Sequence, residues 1–294
     1  MPVQANVIIR SLFYSILIIG FSSCVGSKKI NQLNARIEQK NAALQQLISK
    51  LDSLQTQLST KIDAGETDSI TSRKVTIFSD SVKKEASTEL QNIPQAPFTK
   101  LSRADYKVIN GQIIVANQKI SKQIEDVDII NDLMHQTTME KFKTAAFFEA
   151  GKYELPAAMI AGAKKAFIPV FDKMMSFAAK YPGKQLQATM VVLGFADEQG
   201  YTEDSPLYKD LASAIQSANP TRQQLNIEIS KRRATNISKV LKEMSDNMLV
   251  VQKLEIQFVA QGRGEHRPNP SVTNYTSDDE RRRVVIIYWG VFPK

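Results

Sequence analysis

The sequence predicts an α+β protein, a helical amino-terminal half followed by a β-α-β-α-β-β sandwich with helices packed on a mixed sheet. Two observations carry this. From Ile30 the apolar residues step alternately by three and four, whereas after residue 140 short apolar runs of strand length alternate with longer stretches of helical period. A third narrows the function: the chain of 294 residues has one cysteine and two histidines and carries no G-x-G-x-x-G, P-loop or G-x-S-x-G motif. That inventory builds neither a disulfide framework nor a multi-ligand zinc site, and supplies no nucleophile-base pair. A non-enzymatic protein without metal or cofactor is expected.

The net charge of +8 admits an anionic partner, but the basic residues are scattered, with no aromatic-interleaved patch, so no nucleic-acid role is expected. At the amino terminus, Arg10 precedes an apolar stretch, Ser11 to Phe21, that ends in Ser22-Ser23-Cys24. A membrane span needs about 20 apolar residues, so this run has the length of a signal-peptide core instead. Small residues before the lone Cys24 resemble a bacterial lipobox, which implies a signal peptide over 1–23 and lipidation at Cys24. An ordinary secretory signal and a short uncleaved anchor also fit.

Ile30, Ile37, Leu44, Leu51 and Leu58 occupy one heptad position, and Leu33, Leu47 and Leu54 the other, interrupted by Lys40 and Lys61. With no Gly or Pro between Lys29 and Ala64, this repeat predicts a coiled-coil stalk over 24–64, roughly 50 Å long, and with it a homo-oligomer. An amphipathic helix folded back on its own domain is the competing reading. Residues 65–100 are polar, with one strand-like run from Val75 to Phe78 and prolines at 94 and 97, and read as a linker. In 101–140, a connector or small accessory segment, Asn110-Gly111 between apolar runs signals a β-hairpin. Ile120, Ile124, Val127 and Met134 then recur at helical spacing.

The domain at 141–294 opens with a strand over Thr144 to Gly151. A helix from Leu155-Pro156 to Lys180 follows, stopped by Tyr181-Pro182-Gly183. Strands are expected at Leu186–Gly194, Leu254–Gln261 and Arg283–Trp289, and a helix from about Asn226 to Asn247. Ile229, Arg233, Ile237, Val240, Leu241 and Met244 share that helix's apolar stripe, so Arg233 faces the core. A guanidinium there is costly unless something anionic meets it, and Asp197, at the end of the preceding strand, is the candidate. A purely structural salt bridge and a ligand site both satisfy that requirement.

The order G-F-A-D-E-Q-G, L-N-I-E-I-S-K-R-R-A, G-R-G-E and R-R-R-V-V-I resembles the OmpA-like C-terminal domain, the family of peptidoglycan-associated lipoproteins and flagellar stator anchors. The resemblance implies peptidoglycan binding through the diaminopimelate of the stem peptide, without cleavage. Asp197 would take the ammonium group and Arg233 the carboxylate. Asn226 corresponds to the family's helix-start asparagine, with an N-cap role equally open. Of the paired arginines before the last strand, alternation lets one face the site, and Arg282 is the choice. Ala196 stands where the family usually has a hydroxyl residue, and an insert at 201–221 separates Asp197 from the helix. The implied protein is an outer-membrane lipoprotein that faces the periplasm and tethers the membrane to peptidoglycan. The alternative is an envelope assembly scaffold with a degenerate pocket, acting through its coiled coil and the 201–221 insert.

Overall fold

The computed structural model describes residues 24–92, 97–143, 147–148, 151–248, 254–269 and 272–294. The signal peptide expected over 1–23 and the linker proline at 94 lie outside them. Two compact units are present, one with residues up to Asp52 and Asp80–Glu125, the other with Ser53–Ser79 and Asp126–Lys294. The elements are α1 (Ser27–Asp63), α2 (Ser69–Asn92), α3 (Arg103–Met134), β1 (Met139–Lys143), α4 (Ala157–Ala179), β2 (Leu186–Gly194), α5 (Pro206–Ile215), α6 (Arg222–Met248), β3 (Glu255–Gly262) and β4 (Val284–Pro293), with a 3-10 turn at Glu280–Arg282 before β4.

The heptad residues of α1 form a buried seam, but its partners belong to the same chain. In the first unit Ile30, Leu33, Ile37, Leu44, Leu47 and Leu51 are buried, as are Val82 and Ala86 of α2 and Ile113 and Ile120 of α3. Lys40 reaches Glu89 at 2.5 Å and Lys83 reaches Asp52 at 2.5 Å, so α1 and α2 run antiparallel. Arg36 bonds Asn110 at 2.7 Å, and Gln123 bonds Glu85 at 2.8 Å. The Asn34 side chain donates to Phe98 O and accepts from Phe98 N, both at 3.0 Å, tying the connection between α2 and α3 to α1. The expected stalk is therefore corrected: in this unit the heptad seam of α1 is covered by α2 and α3 of the same chain, the fold-back that was the competing reading.

Two further expectations are overturned. Residues 69–92 are helix, not linker, and the strand-like run at Val75 lies inside α2, which Asp68 caps by accepting from Ile70 N and Thr71 N at 2.8 and 3.0 Å. The buried stripe of α2 runs Thr71, Val75, Ser79, Val82, Ala86, so three of these five members look polar or small in the sequence. Asn110-Gly111 is no hairpin either. Ile113, Ile120, Val127 and Met134 hold one buried heptad position along α3, and Gly111 sits on its exposed side.

The second unit is built on a four-stranded sheet of order β1-β4-β2-β3, in which only β2 and β3 are parallel. The first strand is Met139–Lys143, earlier than the Thr144–Gly151 expected, and 144–146 and 149–150 lie outside the described residues. Elsewhere the predicted order holds, with α4, β2, the inserted α5, α6, β3 and β4 in sequence. One sheet face, with Ala188, Met190, Val192, Val285, Ile287, Trp289 and Val291, packs against Phe167, Phe171, Met174 and Phe177 of α4 and Ala234, Ile237 and Leu241 of α6. The other carries Val191, Leu193, Val284, Ile286 and Tyr288, joined by Ile70. There Lys74 Nζ donates to Thr189 Oγ1 at 2.6 Å and Tyr288 Oη to Gly65 O at 3.1 Å. Burial on both faces is why Val284 to Phe292 is buried without alternation. Among the described residues no helix is long and apolar enough to cross a membrane.

Candidate functional site

The site forms where α6 crosses the carboxy-terminal ends of β2 and β3. Close approach there depends on glycine. A Cβ at Gly194 would lie 2.1 Å from Ser230 O, and one at Gly262 would lie 2.3 Å from Ile227 O. Gly264 adopts φ +52 and donates its N–H to Ser230 Oγ at 2.9 Å. Beyond β2, Ala196 N donates to Gly264 O at 2.8 Å and Glu198 N to Ser277 O at 2.7 Å. The G-F-A-D-E and G-R-G-E segments are thus fastened side by side, and Asp197 projects from the first.

Asp197 and Arg233 line one cleft of about 460 Å³, together with Lys143, Phe148, Tyr201, Leu207, Ile229 and Arg283. No ion pair within 4 Å joins the two among the described residues. Arg233 donates Nε to Lys152 O at 3.0 Å and lies over the Phe148 ring at 5.8 Å, and no hydrogen bond engages its Nη atoms among the described residues. Burial lowers the proton affinity of its guanidinium; Tyr201 and Asp197 act in the opposite sense, and Arg283 adds to the fall. Asp197 Oδ2 comes within 3.2 Å of Arg283 Nε, yet neither atom makes a hydrogen bond, and Oδ1 accepts only a long bond of 3.4 Å from Gln199 N. Among the described residues each charged group therefore keeps unused hydrogen-bonding capacity. A purely structural Asp197–Arg233 salt bridge is not what the geometry shows.

Asn226 is 2% exposed and does not cap α6, which begins at Arg222. From the second turn its Nδ2 donates to Asp197 O at 3.0 Å and Glu265 Oε1 at 2.8 Å, and its Oδ1 accepts from Tyr201 Oη at 2.5 Å. It positions the backbone of Asp197. Glu265 is held in turn by a bidentate bond from Arg222, at 2.7 and 3.0 Å.

Arg282 is corrected. It is 3% exposed and lies off the cleft, bonding Glu198 Oε1 at 2.5 Å, Glu265 O, and Thr276 O at 3.4 Å. Strand alternation misassigned it because Arg282 sits in the 3-10 turn, and β4 begins only at Val284. Arg283 is the arginine of this pair that reaches the cleft. The sequence reading also missed Lys143, Phe148 and Tyr201. Lys143 closes β1 just ahead of the stretch expected as the first strand, Phe148 lies within that stretch, and Tyr201 opens an insert with no counterpart in the motif.

The insert folds as α5, capped by Ser205 Oγ, which accepts from Tyr208 N at 3.1 Å, and ending at Gln216 in the left-handed region. Arg232 of α6 grips it, with Nη1 on Asp210 Oδ2 at 2.5 Å while its guanidinium stacks on Tyr153 at 4.6 Å. Cys24, the expected lipidation site, is a free, exposed thiol ahead of α1. No group of histidine, cysteine and acidic residues able to hold a metal occurs among the described residues.

No family model matches the chain, and no curated protein does. Solved structures do match. The periplasmic domain of MotB is 18% identical with a TM-score of 0.29, over 52% of this chain and 62% of that one. The cell wall anchor of the type VI secretion system from Pseudomonas aeruginosa is 16% identical with a TM-score of 0.27, over 53% of this chain and 81% of that one. The chain thus spans under two thirds of the MotB domain's length. It is an α+β protein with helices on a mixed four-stranded sheet, preceded by a helical region.

Proposed function

We propose that this chain is a non-enzymatic cell-envelope lipoprotein that tethers the outer membrane to peptidoglycan from the periplasmic side. The observation that carries the reading is the cleft in which Asp197 and Arg233 lie apart, each with hydrogen-bonding capacity unused among the described residues. A carboxylate and a guanidinium in one cleft match the ammonium and carboxylate of a zwitterion, and the fork of Arg233 suits a carboxylate in particular. Diaminopimelate in the stem peptide is that zwitterion. Arg283, with Nε 3.2 Å from Asp197 Oδ2, neutralises that carboxylate, and the ligand's ammonium takes its place.

Cys24, exposed at the start of the described chain, is the lipid attachment point. Its replacement by serine abolishes incorporation of labelled palmitate and releases the protein from membranes; undiminished labelling of Cys24→Ser overturns the anchor.

Sedimentation with purified sacculi tests the binding site. Asp197→Ala and Arg233→Ala each lower the retained fraction at least about tenfold, the loss expected for a charge-assisted bond. Retention equal to wild type sinks the assignment.

A further inference from the structure

Basic residues that look scattered in the sequence are gathered by the fold at one end of the first unit. Val25 N donates to Leu101 O at 3.1 Å and Arg36 bonds Asn110 at 2.7 Å, so α1 and α3 run parallel and both begin at this end. Lys28, Lys29 and Arg103, with Cys24, Val25 and the half-buried Tyr106, line a cleft of about 390 Å³. All three cations are exposed, and none makes an ion pair among the described residues.

The local balance of charge is one-sided. Residues 24–36 and 97–110 hold six lysines and arginines against one acid, Asp105, and residues 93–96 carry no charge. Asp105 is spent on capping α3: its N–H donates to Ser102 Oγ at 3.1 Å, and its Oδ2 accepts from the same hydroxyl at 2.7 Å. On α2, Glu89 is committed to Lys40 at 2.5 Å. The first turn of α1 has no acid and carries Lys28 and Lys29 instead, where the helix dipole disfavours cations. A helix end built only for stability would carry the opposite sign. Two helix N-termini and three cations thus bring positive charge to one cleft.

We infer that this end is a membrane-docking surface, on which Lys28, Lys29 and Arg103 bind anionic lipid headgroups beside the anchor while Tyr106 lies at headgroup level. The inference rests on the proposed lipid anchor for its location. Cys24 lies in the same cleft, so a lipid on it brings a bilayer surface to within roughly 10 Å of Lys28, about one Debye length at 0.1 M salt. An acidic protein would meet the same charges, but the bilayer is the anionic surface that a lipidated Cys24 already delivers. The contact fixes orientation, holding the first turns of α1 and α3 against the headgroups rather than leaving them to swing on a tether.

Cosedimentation of the mature chain, residues 24–294 with Cys24→Ser, removes the acyl chain and reads the surface alone. Each basic residue at an anionic surface is worth about fivefold, so vesicles of phosphatidylglycerol and phosphatidylethanolamine are bound about 100-fold more tightly than phosphatidylcholine vesicles at low salt. The preference disappears at about 0.5 M salt. Lys28→Gln/Lys29→Gln/Arg103→Gln loses most of it, whereas Lys122→Gln/Lys165→Gln/Lys242→Gln, which removes the same charge from exposed sites elsewhere, keeps it. Equal binding to the two vesicles, or an equal loss in the two triple variants, overturns the inference. Neither result touches the palmitate labelling of Cys24, so the anchor stands or falls by its own test. Capture on poly-L-glutamate beads without vesicle binding overturns the inference in favour of an acidic protein.

Discussion

Arg233 and Arg282 are the same residue type at almost the same burial, 7% and 3% exposed, and they do opposite work. The guanidinium of Arg282 spends its donors on Glu198, Glu265 O and Thr276 O, and so ties together the segments before α5, after β3 and before β4. Among the described residues Arg233 gives a single bond, Nε to Lys152 O, and it lines the cleft. Burial alone therefore does not mark a binding arginine. The mark is a desolvated guanidinium whose partners are too few, because a chain that buries charge for its own stability normally satisfies it.

The comparison breaks most visibly on stability. Arg282→Ala leaves Glu198 and Glu265 O without their Arg282 donor, and the expected loss is about 3 kcal/mol, or roughly 6–12 °C in melting temperature. A smaller drop, of about 2 kcal/mol, is expected for Asn226→Ala, which frees Asp197 O, Glu265 and Tyr201 at once. Arg233→Ala removes a charge with little internal pairing, so stability changes by under about 1 kcal/mol while sacculus binding is lost. Thermal melts of the three variants, run beside sedimentation, check the order. A melt of Arg233→Ala as low as that of Arg282→Ala would erase the distinction.

The smallest effect is acidic. The hydrogen bond from Arg282 holds the Glu198 carboxyl below its ordinary value of 4.5, with Arg222 and Arg267 acting in the same sense. A depressed folded-state pKa means a contribution that is complete above the unfolded value and lost as pH falls through the folded one. Wild type therefore loses melting temperature below about pH 4.5, and Arg282→Ala, already without the bond, loses less. Parallel pH profiles of the two proteins would remove Glu198 from the account.

Much of the sheet domain was legible in the sequence. β2 occurs at Leu186–Gly194 as expected, since a continuous apolar run closed by glycine has few other uses, and the stop at Tyr181-Pro182-Gly183 ends α4. Asp197 and Arg233 share a cleft because the strand end and the helix stripe fix their directions early. The stripes of α2 and α3 were harder to see. Thr71 and Ser79 hold core positions in α2, and Gly111 in α3 looks like a turn although the heptad runs straight through it. Propensity and turn signals are weak beside packing, which tolerates a small polar residue or a glycine wherever the neighbouring helix accommodates it.

By itself the sequence determined the order of elements in the sheet domain, the heptad seam of α1 and the two charges of the cleft, because each is written in local period or residue chemistry. Tertiary structure alone decided which helices fill that seam, which of Arg282 and Arg283 reaches Asp197, and that the 201–221 insert walls the cleft through Leu207. A period specifies a face and not its partner. Burial and hydrogen bonding are properties of neighbours distant in the chain, so they exist only once the fold has brought those neighbours together.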